Sequence, residues 1–445
     1  MIKSKTDEGL KRVIGVSGLA LTILNFTIGA GIFVLPAIIG IQLGAFGIFC
    51  YIFCAIVLGA IMLCYAEIGS KVTTSGGNYA YVVAAFGEFP GFIINWLYFF
   101  AFSILSDAAV MNIITDSLAV ISPVFLNPLL RAFLFFILMC FMVWLNIRGA
   151  KQGIAFIKLV TVIKLLPLVA IIIFGLFHVK SSNLHWEHLP SLNTFGNTAL
   201  ILFFAFFGFE SALTVSGEIK NPKRTVPRGI LLAGLLILVF YLLLQMVTQG
   251  VLGANMEAVK DAPLAAIAEK IVGPVGATIL LLTAAFSCFT NVFGDVLSTP
   301  RLLFAGANDG MFPKFLSKVH PKFATPHLAI ISFAALIFIF SISGGFKQLA
   351  ILASASLLLV YLAVILATIK LRSKKQDVTE KTFRMPGGLI IPFIGIAAIV
   401  WLLSNLGKWE ILSVIIFIAI VCVIYFITKN FQNKKIVVAT EEIIV

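Results

Sequence analysis

Ile28-Gly29-Ala30-Gly31-Ile32-Phe33 sets two glycines around an alanine inside an apolar run that reaches from about residue 13 to 39. Such a run crosses a bilayer, which takes roughly 20 apolar residues. Each glycine costs a helix interior about 1 kcal/mol relative to alanine, so the spacing predicts a helix that unwinds at mid-depth. Unwound backbone persists in a membrane only where it faces protein or a water-filled cavity. A helix interrupted at the midplane is one way that secondary transporters build a substrate site. Taken alone, the same six residues suit close helix packing through small side chains. The rest of the chain weighs against that.

The 445 residues are 60% hydrophobic and 11% charged, with a mean hydropathy of +1.09. Soluble domains carry about 25% charged residues, so this is a polytopic membrane protein. Apolar runs of spanning length fall at 13–39, 42–69, 86–121, 129–147, 153–177, 194–217, 227–252, 271–305, 326–343, 348–370, 388–405 and 410–428. The fold class expected is all-α, with twelve transmembrane helices. No segment between them is long enough for a soluble domain, so residues 1–445 read as a single transmembrane domain with short tails. The first run follows twelve polar residues and carries no small-residue cleavage site, so it reads as a retained span. All six cysteines lie within apolar runs, without metal-ligand spacing and away from the loops where a disulfide framework would sit.

Of the 32 Lys+Arg, 24 fall in tails and loops on the side of the termini. Six (Arg131, Lys180, Lys260, Lys270, Lys347 and Lys408) fall on the other side, and Lys158 and Lys164 lie within a span. That bias puts both termini in the cytoplasm. It also accounts for the net charge of +13 without a nucleic-acid partner.

A second interruption is written into the sixth run, Phe203-Phe204-Ala205-Phe206-Phe207-Gly208-Phe209-Glu210-Ser211-Ala212. A charged carboxylate at that depth costs about 3 kcal/mol or more unless it has a cavity, a partner or a proton. Spans one and six are five apart. Breaks in both imply a five-plus-five inverted repeat, about 13–177 and 194–370, with two appended helices at about 388–428.

Four separate stretches, in this order, resemble the amino acid–polyamine–organocation permeases. Ile28 to Phe33 is similar to that family's first-helix break, and Thr74-Ser75-Gly76-Gly77-Asn78-Tyr79-Ala80-Tyr81 to the segment that opens its third helix. Gly208-Phe209-Glu210 with Glu218-Ile219-Lys220-Asn221-Pro222 resembles the sixth-helix break and the loop after it. Pro300-Arg301, Asn308-Asp309-Gly310, Phe312-Pro313 and His320-Pro321 resemble the end of helix eight and its loop. The resemblance covers nearly the whole chain. It implies the same five-plus-five fold and an amino acid substrate.

At the breaks, freed N–H groups of Ala30, Gly31 and Ile32, backed by a helix dipole, suit a carboxylate. Carbonyls around Thr27–Ile28 and Phe206–Phe207 suit an ammonium group. Thr27, Ile28, Gly29, Ala30, Gly31, Ile32, Phe207 and Gly208 are therefore candidate substrate contacts. The resemblance implies that they hold the α-amino and α-carboxyl groups of an amino acid. It also makes Phe204 an aromatic gate over the substrate, although with 42 phenylalanines in the chain plain packing is an equal reading.

Lys158 and Lys164 on the fifth span are separated by about 240° around a helix and cannot share a face. Lys164 lies about 18 Å into the span. The resemblance implies that its ammonium stands where sodium-coupled relatives of the fold bind the ion. A coupling-proton role and a structural ion pair both stay open. Aligning the third span puts Phe102, Ser106 and Asp107 on the pocket side, and Asp295 falls where some family members line the pocket with an aromatic. With Glu210, these acids either attract a cationic side chain or pair internally. Glu67, Lys71, Lys220, Arg224 and Arg301 flank the cytoplasmic mouth as gate ion pairs or as solvated charges.

The expected function is secondary transport of amino acids across the plasma (inner) membrane by alternating access, sodium-independent and proton-coupled. Exchange of amino acids, or of an amino acid against a polyamine, fits equally, and cationic amino acids or a polyamine are favoured slightly over small or branched neutral amino acids. A membrane-embedded enzyme would need a nucleophile with its base, an HExxH or paired catalytic aspartates, and the sequence offers none. No repeated pore-loop filter points to a channel, and no GxxxxGK[ST] loop points to ATP. No cofactor and no metal are expected, and a monomer or a homodimer fits.

Overall fold

The computed structural model describes residues 14–72, 77–148, 153–186, 188–211, 219–308, 310–373 and 383–444. Thr74–Gly76, Ala212, Glu218 and Asp309 of the motifs above lie outside these residues, as does the side chain of Lys158. The described chain is helical, and its one strand-like contact is an isolated parallel bridge between Ile14 and Ile219.

The first apolar run is broken where the two glycines stand. Helix α1 (Val16–Thr27) stops at Ile28, Gly29 leaves the helical region at φ −109° and ψ −144°, and a 3-10 turn (Ala30–Phe33) leads into α2 (Leu35–Leu43). Pro36 sits in the first turn of α2, where its missing N–H removes no helical bond. Then follow α3 (Gly47–Lys71), α4 (Gly77–Phe86), α5 (Glu88–Trp96), a π-helical stretch (Leu97–Ser103) and α6 (Ile104–Ile121). Next come α7 (Pro128–Arg148), α8 (Gly153–Leu176) and α9 (Leu192–Phe203). The Ser191 side chain caps α9 by accepting from the Thr194 N–H at 3.1 Å. A 3-10 turn (Phe204–Phe206) continues α9 up to the second break, where Gly208 has φ +112°. The remainder is α10 (Pro222–Leu252), α11 (Pro263–Val272), α12 (Pro274–Asn308), α13 (His327–Ser343), α14 (Phe346–Ser373), α15 (Ile390–Ser404) and α16 (Lys408–Ile444).

Among the described residues seven stretches are long and apolar enough to cross a membrane: Leu35–Lys71, Glu88–Ile121, Pro128–Arg148, Pro222–Val259, Pro274–Asn308, Phe346–Arg372 and Lys408–Lys429. Five apolar helices are shorter, at Val16–Thr27, Lys164–Leu176, Leu192–Phe206, His327–Ser343 and Ile390–Ser404. Two of those five are short because the breaks end them.

Burial sorts the helices. The stretch from α5 to α6 is almost wholly enclosed and α14 largely so, whereas α7 and α16 expose most of their apolar side chains. Phe133, Phe136, Phe141 and Trp144 on α7 stand outward, an apolar surface of the kind that lipid covers. Inside, α10 packs along α3 and α1, α12 along α6, and α14 against α6 and the π-helical stretch.

Glu67, fully buried at the end of α3, accepts from Lys71 Nζ at 2.9 Å, from Arg372 Nε at 3.3 Å and from the Met385 N–H at 3.0 Å. This ties α3 to the end of α14 and to the segment entering α15. Of the mouth residues picked out from sequence, Glu67 and Lys71 are thus paired. The Lys220 N–H donates to Ile14 O at 2.9 Å, and Arg301 Nη1 has no hydrogen-bond partner among the described residues.

Candidate functional site

The two breaks meet. A Cβ placed on Gly208 would lie 2.7 Å from Phe26 O and 3.1 Å from Thr27 N, and the positive φ is itself one that glycine tolerates best. On the other flank, Gly31 faces the ring of Phe204 and the backbone of Ala205. Between and beside the breaks lies a cavity of about 390 Å³, within the range of small-molecule pockets. Its walls come from α1 and the first break, the π-helical stretch with α6, the second break, and α12.

Nine of the residues expected from sequence line this cavity: Thr27, Gly29, Gly31, Phe102, Ser106, Phe204, Phe207, Gly208 and Asp295. Ile28 and Ile32 instead turn into the packed core, each 1% exposed. Ala30 begins the 3-10 turn, where the first N–H groups have no partner within the turn. Glu210 does not line the cavity. Its carboxylate folds back to accept from the Gly208 N–H at 3.2 Å and from the Tyr361 hydroxyl on α14 at 2.7 Å, so it closes the break rather than facing the cavity. Asp107 also lies off the cavity wall. The π-helical stretch delays the turn by about one residue, so Phe102 and Ser103 both face inward, and the lining continues through Ser106 and Val110. Asp107 is left one position off that stripe, fully buried.

The carbonyls expected to be free for an ammonium group are partly engaged. The hydroxyl of Tyr241, fully buried on α10, lies 3.0 Å from Thr27 O and 2.6 Å from Ala205 O. It bridges the ends of the two interrupted helices. Tyr241→Phe removes the only hydroxyl among the described residues that reaches both carbonyls. The expected result is a loss of about 1–3 kcal/mol, the cost of a buried unsatisfied polar group, read as a lower melting temperature in detergent.

Several other residues escaped the sequence reading. Asn291 lines the cavity one helical turn before Asp295, with Nδ2 3.1 Å from where a Cβ on Gly29 would stand. The Tyr98 hydroxyl pairs with Ser211 Oγ at 3.0 Å, and both residues line the cavity. A polar residue four before Asp295 in an apolar span was the available signal for Asn291. For Tyr241 and Tyr361 the signal lies only in tertiary contact.

Lys164, 4% exposed, donates to Asn25 O on α1 at 2.7 Å, with Cys288 of α12 beside it. Its ammonium thus sits between α1 and α12, immediately before the first break. At the far end, Phe204 packs edge-on against Phe346 with ring centroids 5.6 Å apart. In the other direction the cavity runs along α1 as far as Ile14 and along α12 as far as Leu302. Among the described residues no three His, Cys, Asp or Glu side chains come together as a metal site.

The family model described as "Amino acid permease" matches residues 14–406. The chain is 27% identical to the branched-chain amino acid permease BcaP of Bacillus subtilis over 448 residues, covering 96% of this chain and 95% of that protein. It is 28% identical to the serine/threonine exchanger SteT of the same organism, covering 90% and 92%. Identity to a methylthioribose transporter, again from Bacillus subtilis, is 27%, covering 95% and 94%. A match across the helices that carry both breaks and all four walls of the cavity decides the point: this chain is a multi-pass membrane protein that belongs to the amino acid permease family, within the amino acid–polyamine–organocation superfamily.

Proposed function

We propose that this protein is a sodium-independent secondary transporter that carries amino acids across the plasma membrane by alternating access. The observation that carries the reading is the meeting of two interrupted helices at one cavity, with Gly29, Gly31 and Gly208 at its wall. Orphan N–H groups at the start of the 3-10 turn bind the substrate carboxylate. Backbone carbonyls at the ends of α1 and α9 bind its ammonium group, with Tyr241 yielding part of its double contact. The twelve spans pair as two five-helix repeats plus α15 and α16. Both termini lie in the cytoplasm, as the positive charge distribution supports. In that orientation the cavity opens inward along α1 and α12, and Phe204 with Phe346 closes it outward.

The side chain of the substrate lies among Phe102, Phe204, Phe207 and Val110. Those walls suit a neutral side chain of moderate size, and the specificities named for BcaP and SteT support the same choice. A cationic side chain is the second reading, favoured by Asp295, the acid that lines the cavity.

Uptake of labelled leucine, alanine, serine, lysine and arginine into proteoliposomes tests this. Uptake of a neutral member, unchanged when choline replaces sodium, is the expected result. Strict sodium dependence overturns the role given to Lys164, and no uptake or exchange of any member overturns the amino acid assignment.

A further inference from the structure

Asp107 on α6 is fully buried, and neither of its carboxylate oxygens has a hydrogen-bond partner among the described residues. The group within hydrogen-bonding reach is the Asp295 carboxyl on α12, and were both ionised neither would have a proton to offer the other. No lysine or arginine forms an ion pair with either acid among the described residues. Lys164, on the cavity's flank, is committed to Asn25 O, and Arg301, six residues after Asp295 on α12, makes no ion pair with it among the described residues. Tyr98 and Glu210 are the other titratable groups that face the pair. The first is engaged with Ser211 and the second with Gly208 and Tyr361. Two ionised carboxylates facing one another, one of them fully buried, repel, and neither gains a donor from the other. One proton resolves both problems, because the protonated oxygen donates to its ionised neighbour in a charge-assisted hydrogen bond. The access is one-sided: Asp295 lines the cavity and is only partly buried, whereas Asp107 lies behind it.

We infer that Asp107 and Asp295 form a carboxyl pair that takes one proton from the cavity, and that this pair rather than Lys164 loads the proton carried with the substrate. The inference rests on the transport reading above. Hydronium in the cavity gives its proton to an Asp295 oxygen and leaves as water. Asp107 accepts the resulting O–H hydrogen bond, and no other bond changes. Release runs the same step backward when the cavity faces the side of lower proton activity.

The test compares wild type, Asp107→Asn and Asp295→Asn in proteoliposomes, using leucine and arginine as probes. Uptake driven by an inward proton gradient and exchange at equal pH are measured for each, with a pH-sensitive dye inside. The ratio of gradient-driven uptake to exchange is expected to fall at least about tenfold in both variants, and the substrate-dependent dye signal to fall with it. A wild-type ratio in either variant, or wild-type transport with no proton movement, overturns the proposal. So does selective loss of arginine with proton movement retained, which would make the pair a side-chain receptor. Infrared difference spectra of the purified proteins across a pH step give a readout free of transport. A protonated-carboxyl band present in wild type and absent from both variants is expected, and its persistence in either variant overturns the pair. A silent wild type in the uptake arms with the band behaving as expected would instead condemn the amino acid assignment.

Discussion

Gly208→Ala yields a protein without measurable uptake and with a markedly lower melting temperature. The methyl group meets Phe26 O at 2.7 Å and the Phe26 carbonyl carbon at 2.8 Å, and both are backbone atoms that cannot rotate aside. Overpacking of this kind costs about 1–3 kcal/mol, and forcing a non-glycine residue to φ +112° adds about 1–3 kcal/mol of backbone strain. Against a total stability of about 5–15 kcal/mol that loss is large, and it falls where the two breaks must touch. Gly59→Ala is the control, because a Cβ there meets nothing within 4 Å. Size-exclusion profiles after graded heating, alongside uptake, read both variants. A Gly208→Ala protein that melts and transports like Gly59→Ala would show that the close approach of the breaks is not required.

Lys164→Met lowers transport about ten- to a hundredfold, the equivalent of losing a charged hydrogen bond of about 1.5–3 kcal/mol. The methionine keeps the length and the packing while removing the donor at 2.7 Å from Asn25 O. The loss is expected with either leucine or arginine as substrate, because Lys164 holds α1 rather than a particular side chain. Lys164→Arg rescues poorly, since a planar guanidinium does not fit where a compact ammonium sits between α1 and Cys288. Exchange rates at equal pH separate this role from proton loading. A conformational role slows exchange and gradient-driven uptake together, whereas a proton-loading role spares exchange.

The interruption of the first and sixth runs was legible because two glycines around an alanine, or a glycine two residues from a carboxylate, are costly in an apolar helix. Those local costs led to Gly29, Gly31 and Gly208, and the family resemblance led to Phe204 and Asp295; all five line the cavity. Glu210 lies off the cavity wall for a different reason. A buried carboxylate looks for the nearest donors, and the break frees its own Gly208 N–H two residues away, while Tyr361 arrives from a helix about 150 residues later. Asp107 came to the pocket side by aligning the third span with the family, and that alignment carries no information on where the π-helical turn of Leu97–Ser103 leaves the residues after it. No residue type announces that extra residue per turn. Tyr241 was unreadable in principle, since a tyrosine in an apolar span has the same composition whether its hydroxyl meets lipid headgroups or two carbonyls.

The shared hydroxyl of Tyr241 has a mechanical meaning. A bolt through two interrupted rods prevents either from sliding without the other, so the inner half of one and the outer half of the other keep step. A carrier built this way resists the slip in which one rod swings while its counterpart stays, which would open a continuous leak for water and ions. Loosening the bolt therefore trades tightness for speed, and ion leak across the vesicle wall in the absence of substrate becomes as informative about this residue as the rate of transport.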